Sequence, residues 1–130
     1  MGVHLVDLTN KEHRKKVNWW NWRPTLELIR KLAIIDDTRL HLMDYNATRV
    51  IITKKEAQQI GKRFQADILS KIEPGQRILL DQSVTSEPEE QLYLYQILTD
   101  VVPSKFYIAR YEWLVEFTEF CLNCEGFTVI

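Results

Sequence analysis

The chain has 130 residues but only two cysteines, four glycines and four prolines. Two cysteines cannot build the dense disulfide framework of a small secreted domain, and they favour a reducing compartment. The sequence also lacks the phosphate-loop patterns G-x-x-x-x-G-K-[ST] and G-x-G-x-x-G, the nucleophile elbow G-x-S-x-G and the zinc pattern H-E-x-x-H. These absences argue against a phosphate-cradling loop or a motif-bearing hydrolase, and we expect no cofactor and no metal.

Long hydrophobic runs are absent as well. No apolar stretch approaches the roughly 18 to 20 residues that span a bilayer. The opening MGVHLVDLTN has no basic segment followed by an apolar run, so it does not read as a secretory signal. We therefore expect a cytoplasmic protein without a membrane segment.

The net charge is only -1, which disfavours a nucleic-acid partner recruited by overall charge. The distribution is uneven, because residues 1–31 hold seven Lys or Arg against three Asp or Glu, whereas residues 81–100 hold five acidic residues and no basic one. The two segments could face each other, mark separate surfaces, or pair between two copies of the chain. The sequence leaves these alternatives open.

The length fits one domain covering residues 1–130, and the 45% hydrophobic and 27% charged fractions are those of a globular protein. The patterns predict an α+β, mostly helical fold, with three to four helices around one core and a small sheet formed near the N- and C-termini. In the N-terminal part we expect a strand over Val3–Leu8, a turn over Thr9–Lys16, a return strand over Val17–Trp20, and a helix capped by Asn21 that has Pro24 in its first turn and ends before Asp36.

Further along, Thr53 and Glu56 have the spacing of a capping box, and the apolar residues after them follow a helical period until Pro74. Residues 76–88 read as a loop. The remaining predictions are a short strand over Arg49–Ile52, a third helix from Ser86 or Pro88, a fourth from Pro103–Ser104 to about Cys121, and a tail over Phe127–Ile130 that pairs with the N-terminal strand.

The densest feature is a tryptophan cluster, in which Trp19, Trp20 and Trp22 precede Arg23. Trp and Arg are typical anchors of binding surfaces, and an arginine can stack on an aromatic face. Alternatively, Trp19 and Trp22 pack the start of the helix against the core, which is a common use of large aromatic residues. Neighbouring residues point in different directions, so Trp20 is the best candidate for exposure.

Cys121 and Cys124 form a C-x-x-C pattern. A redox dithiol of the thioredoxin type lies at a helix N-terminus, where the dipole lowers the thiol pKa, but this pair falls near a predicted helix end. A zinc site would need two further ligands, and His4, His13 and His41 have no recognisable spacing. A packing role for the two cysteines is the alternative.

Two segments together resemble a known group of proteins. The pattern Asn18-Trp19-x-x-Trp22-Arg23-Pro24-x-Leu26-Glu27-Leu28 opens a helix, and Phe117-x-x-Phe120-Cys121-x-x-Cys124-Glu125-Gly126-Phe127 lies at the C-terminus. The chain resembles a group of small uncharacterised bacterial proteins with a W-x-x-W helix start and an F-C-x-x-G-G-F-like end, although Glu125 stands where a glycine is expected. The resemblance leaves residues 36–100 unmatched, and it implies a small bacterial, cytoplasmic domain without assigning an activity.

The leading hypothesis is a non-catalytic protein–protein interaction domain of the regulatory or immunity type, which binds another protein through Trp20 and Arg23. The alternative is a small-molecule-binding protein or enzyme with a pocket near Trp19, Trp22 and Arg23. A concave pocket with converging polar groups would favour the second, and an exposed patch containing Trp20 would favour the first. A homodimer through the fourth helix is a further possibility, because its apolar residues run almost all the way round.

Overall fold

A computed structural model describes residues 2–86 and 107–130. In these two ranges the chain forms four α-helices, a π-helical and a 3-10 turn, and two antiparallel sheets. The helices are α1 (Trp19–Leu32), α2 (Asp37–Met43), α3 (Lys54–Arg63) and α4 (Tyr111–Asn123), and the strands are β1 (Gly2–Asp7), β2 (Arg14–Asn18), β3 (Val50–Ile52), β4 (Arg77–Leu79), β5 (Val84–Thr85), β6 (Ile108–Arg110) and β7 (Phe127–Val129). The predicted α+β class is confirmed.

The first sheet joins the two ends of the chain, in the strand order β2-β1-β7-β3. Strand β7 pairs antiparallel with β1, with Val6 opposite Thr128, and it also pairs with β3. This confirms the predicted small sheet near the termini. Gly126 has φ +88 and precedes β7, a backbone conformation that suits glycine because it has no Cβ.

The turn into the first helix differs from the prediction in two respects. Strand β2 begins at Arg14 and ends at Asn18, so Arg14–Lys16 belong to the strand, while Trp19 and Trp20 already lie in α1. The N-cap is Asn18 rather than Asn21, since the Asn18 side chain accepts a hydrogen bond from the Asn21 amide at 2.9 Å. Consequently Pro24 lies in the second turn of the helix and not in the first.

Other differences arise from the second sheet, whose order is β5-β4-β6. Residues 76–86, expected to be a loop, contain the hairpin of β4 and β5. The predicted fourth helix was placed too early, because Ile108–Arg110 pairs with β4 as β6 and the helix begins only at Tyr111. Helix α2, capped by Asp36, was not predicted. The helix predicted from Ser86 or Pro88 and the start from Pro103–Ser104 lie outside the described residues.

The capping box is confirmed, since Thr53 and Glu56 hydrogen bond reciprocally at the start of α3. Helix α3 continues as a π-helical turn over Phe64–Ile68 and a 3-10 turn over Leu69–Lys71. Arg39 of α2 forms a bidentate ion pair with Glu56, with Nη1 2.8 Å from Oε1, which fastens α2 to the start of α3. Gly61 gives α3 close access to α4, because a Cβ there would lie 2.7 Å from Leu122 Cγ.

Helix α4 lies at the centre of the core. It buries aromatic and aliphatic residues on most of its circumference against α1, α3 and the first sheet; they are Trp113, Leu114, Phe117, Phe120 and Cys121. A nearly all-round apolar helix is either central to its own domain or shared with a neighbour. Packing inside its own chain accounts for this pattern, so the pattern no longer argues for a homodimer.

Candidate functional site

The three clustered tryptophans diverge because they lie on one helix at about 100° per residue. Trp22 is completely buried, its Nε1 donates to the carbonyl of Met43 at 2.7 Å, and its ring centroid lies 6.0 Å from that of Phe117. Trp19 is half-buried against the core. Trp20 is 42% exposed. Trp22 therefore has a packing role, and Trp20 presents its ring at the surface.

Arg23 lies between two aromatic rings. Its guanidinium carbon is 5.5 Å from the ring centroid of Trp19 and 5.2 Å from that of Tyr107, both within cation–π range. Its Nη1 donates to the Tyr107 hydroxyl at 2.8 Å, and its Nε donates to Asp44 Oδ1 at 3.2 Å. The arginine is thus oriented by four contacts within its own chain.

Tyr107 also packs against Trp20, with ring centroids 4.9 Å apart and planes tilted by 40°. We call the resulting surface the Trp20–Arg23 patch. It consists of Trp19, Trp20, Arg23, Asp44 and Tyr107. Its rings and its one paired cation combine apolar area with fixed hydrogen-bonding groups, which is the composition of an interface anchor.

Two hydrogen bonds, the second of them buried, hold the elements that build this patch together. The Asn21 side chain accepts from the Arg110 amide at 3.0 Å, and Trp113 Nε1 donates to Thr25 Oγ1 at 2.9 Å. These bonds tie α1 to β6 and α4, and Tyr107 directly precedes β6. The sequence-based prediction included Trp19, Trp20 and Arg23 but missed Tyr107 and Asp44. No local signal points to these two residues, since they are 84 and 21 positions from Arg23.

A shallow concavity of about 290 Å³ lies beside Arg23, and it also contains Glu27, Arg30, His41 and Asp44. Neither Trp19 nor Trp22 lines it. Its cations are paired with its carboxylates, Arg23 with Asp44 and Arg30 with Glu27 at 3.5 Å. A charged ligand would have to displace an existing ion pair there.

The two cysteines lie where α4 ends, as the position of the C-x-x-C pattern suggested. Both are buried and free, and Cys124 Sγ is 3.6 Å from the Cys121 carbonyl oxygen. Burial raises the pKa of both thiols, that of Cys121 well above its usual value. Thiols in this state are poor nucleophiles at neutral pH. Within the described residues, no group of three or more His, Cys, Asp or Glu could hold a metal ion.

His13, in the turn between β1 and β2, pairs with a buried carboxylate. Its Nδ1 lies 2.8 Å from Oδ2 of Asp7, which is only 5% exposed and also accepts hydrogen bonds from Thr9 and Glu125. Burial acts to raise the pKa of Asp7, but these hydrogen bonds from backbone and side chains outweigh it and hold the pKa below its usual value. Asp7 thereby links His13 of the β1–β2 turn to Glu125, two residues after the end of α4, which is a structural role.

Comparisons with known protein families, with curated proteins and with solved structures gave no match. The resemblance to small bacterial proteins therefore stays a prediction. In the part of the chain that the structure describes, none of the helices combines the length and the apolar character needed to cross a membrane.

Proposed function

We propose that the chain is a non-catalytic protein–protein interaction domain, of the regulatory or immunity type, that binds its partner through the Trp20–Arg23 patch. The observation that carries the proposal is the half-exposed Trp20, whose ring packs against Tyr107, which in turn accepts a hydrogen bond from Arg23. In line with the sequence, we place this interaction in a bacterial cytoplasm.

Physical chemistry supports this use of the patch. Trp, Tyr and Arg dominate the binding energy of protein interfaces, where they occupy central, desolvated positions. Ordering a long side chain on binding costs about 0.5–1.5 kcal/mol, and a side chain that is already oriented avoids much of that cost. Arg23 and Trp20 are held by contacts within their own chain, so the patch is preorganised for a partner.

The concavity beside Arg23 favours the alternative, a small-molecule site, less strongly. Binding pockets are lined mainly by apolar side chains with a few polar groups, whereas this concavity has only Leu26 and Leu80 as apolar lining. Its charged groups already satisfy one another in pairs. Protein binding through the Trp20–Arg23 patch therefore fits the observed chemistry better than ligand binding in the concavity.

Photocrosslinking tests the proposal. A photoreactive phenylalanine analogue is placed at Trp20, or at Tyr45 as a matched site, and the protein is irradiated in the cells from which the sequence derives. Tyr45 is 53% exposed and lies outside the patch, so it samples an exposed aromatic position of similar size. We expect a discrete heavier adduct from position 20 and not from position 45.

A second variant separates binding from unfolding. Arg23→Lys keeps the charge but removes the planar guanidinium that packs between Trp19 and Tyr107. We expect it to reduce the position-20 adduct several-fold while the melting temperature stays near that of the parent. Equal adducts at positions 20 and 45, or an adduct unaffected by Arg23→Lys, would contradict the proposed binding surface.

A further inference from the structure

A groove separate from the patch lies beside the C-terminal half of α1. Its volume of about 360 Å³ lies within the range of roughly 300–1,000 Å³ typical of small-molecule sites. The floor is apolar and comes from α1, the end of the α3 segment and the β4–β5 hairpin; it is formed by Leu28, Leu32, Ile68, Ile72, Ile78 and Val84.

The wall of this groove has an irregular backbone. The π-helical turn over Phe64–Ile68 and the 3-10 turn after it supply several lining residues. Phe64 and Ile68, at the two ends of the π-helical turn, are both buried. Arg63, Asp67 and Lys71, at intervals of four residues, all line the groove. Single π-helical turns occur frequently at functional sites.

The groove contains a second irregular segment. Gln82 lies in the turn between β4 and β5, has φ 72 and lines the groove. Its amide donates to the Leu79 carbonyl at 2.8 Å, which fixes the turn. Left-handed backbone is disfavoured for residues other than glycine, asparagine and aspartate, and such residues concentrate at ligand sites.

The charges around the groove are unbalanced. Arg63 is paired with Asp67 at 2.7 Å. Lys31 and Lys71 also line the groove, and neither forms an ion pair with any residue in the ranges 2–86 and 107–130. An apolar floor next to two ammonium groups without an ion-pair partner among the described residues is complementary to an anion that has an apolar tail.

We propose that this groove binds a free monocarboxylate with a single alkyl chain. The chain lies on the apolar floor and the carboxylate lies at Lys31 and Lys71. The volume suits a molecule of this size better than a protein helix. This site does not depend on the Trp20–Arg23 patch, so either proposal can fail without the other.

Titration of the purified, isotope-labelled protein with decanoate, followed by ¹H–¹⁵N NMR, tests the proposal. We expect saturable shifts that centre on the amides of Ile68 and Gln82. The double variant Lys31→Gln/Lys71→Gln should weaken binding by about tenfold or more, the loss expected for one charged hydrogen bond. The matched double variant Lys55→Gln/Lys62→Gln removes two exposed lysines of α3 that do not line the groove, and it should bind as the parent does.

Three further measurements examine the tail, the head group and the apolar floor. Affinity should rise about fourfold for each methylene from hexanoate to decanoate, as the burial of one CH₂ implies. 1-Decanol, which lacks the charge, should bind at least several-fold more weakly than decanoate. Val84→Thr, at a position that is already half-exposed, should weaken decanoate binding several-fold without unfolding the protein.

Several results would overturn the proposal. Decanoate could give no saturable shift, or decanol could bind as tightly as decanoate. The groove amides could instead shift with protein concentration alone, which would make the groove a contact between two copies. A soluble acidic amphipathic peptide could bind the groove where decanoate does not, which would make the occupant a protein.

Discussion

Thr25 connects the helix that carries the patch to the central helix, and replacing it with valine isolates one buried hydrogen bond. Thr25 is completely buried; its Oγ1 accepts from Trp113 Nε1 at 2.9 Å and donates to the Asn21 carbonyl at 2.8 Å. Valine has nearly the same shape as threonine, so Thr25→Val opens almost no cavity. It leaves the buried indole N–H of Trp113 without its acceptor.

A buried donor without a partner costs about 1–3 kcal/mol. Losing the bond to the Asn21 carbonyl adds little to this cost, because that carbonyl lies within α1. We therefore expect Thr25→Val to lower the free energy of unfolding by about 2 kcal/mol. With a urea m-value of roughly 1–3 kcal/mol/M, the midpoint should fall by on the order of 1 M.

Thr118→Val is the matched control. Thr118 is just as buried, but its Oγ1 only donates to the Leu114 carbonyl at 2.7 Å within the same helix, so its loss orphans no donor. We expect a cost below about 1 kcal/mol. Urea unfolding followed by tryptophan fluorescence measures both variants. If Thr25→Val were no more destabilising than Thr118→Val, the Trp113 bond would not be what fastens α1 to α4.

Three further predictions concern other parts of the chain. The hydrogen bonds and ion pair with Arg39 lower the pKa of Glu56 to about 2, from an unfolded value near 4.5. The ionised carboxylate therefore stabilises the fold above pH 4.5, by on the order of 2–3 kcal/mol. Unfolding measured across an acid titration should show this contribution being lost from about pH 5 down to pH 2. Glu56→Gln should flatten that part of the pH profile, and an unchanged profile would count against the pair. Cys121 and Cys124 should resist a thiol reagent such as dithionitrobenzoate in native buffer and react fully in urea, because both are buried; rapid native labelling would show that this end of α4 opens. Gln82→Gly should raise the free energy of unfolding by about 1 kcal/mol by relieving left-handed backbone, as thermal melts can measure, and a loss of stability would show that the side chain's contacts outweigh the strain.

The elements that were predicted correctly depend on short-range interactions. The capping box of Thr53 and Glu56 needs only residues three positions apart. The alternation in Val3–Leu8 predicted β1, and the β-prone residues Phe127–Ile130 predicted a short strand beside it, which β7 confirms. Such features are encoded within a few residues and do not depend on the rest of the chain.

The errors have a common physical origin in pairing between distant residues. The apolar residues from Ile108 onwards follow a helical spacing, but pairing with β4 holds Ile108–Arg110 as a strand. The cap moved from Asn21 to Asn18 because the strand β2 ends at Asn18 in register with Gly2. In both cases a partner far along the chain decided between two locally acceptable conformations.

The sequence by itself determined the fold class, the terminal sheet, the cap of α3 and the concentration of tryptophans at the start of α1. Only the tertiary structure decided which tryptophan is exposed, and it brought Tyr107 and Asp44 to Arg23. It also formed the groove between α1, the π-helical turn and the β4–β5 hairpin. The reason is that capping and periodicity act over one or two turns of the chain, whereas a surface is assembled from segments that meet only after the core has packed.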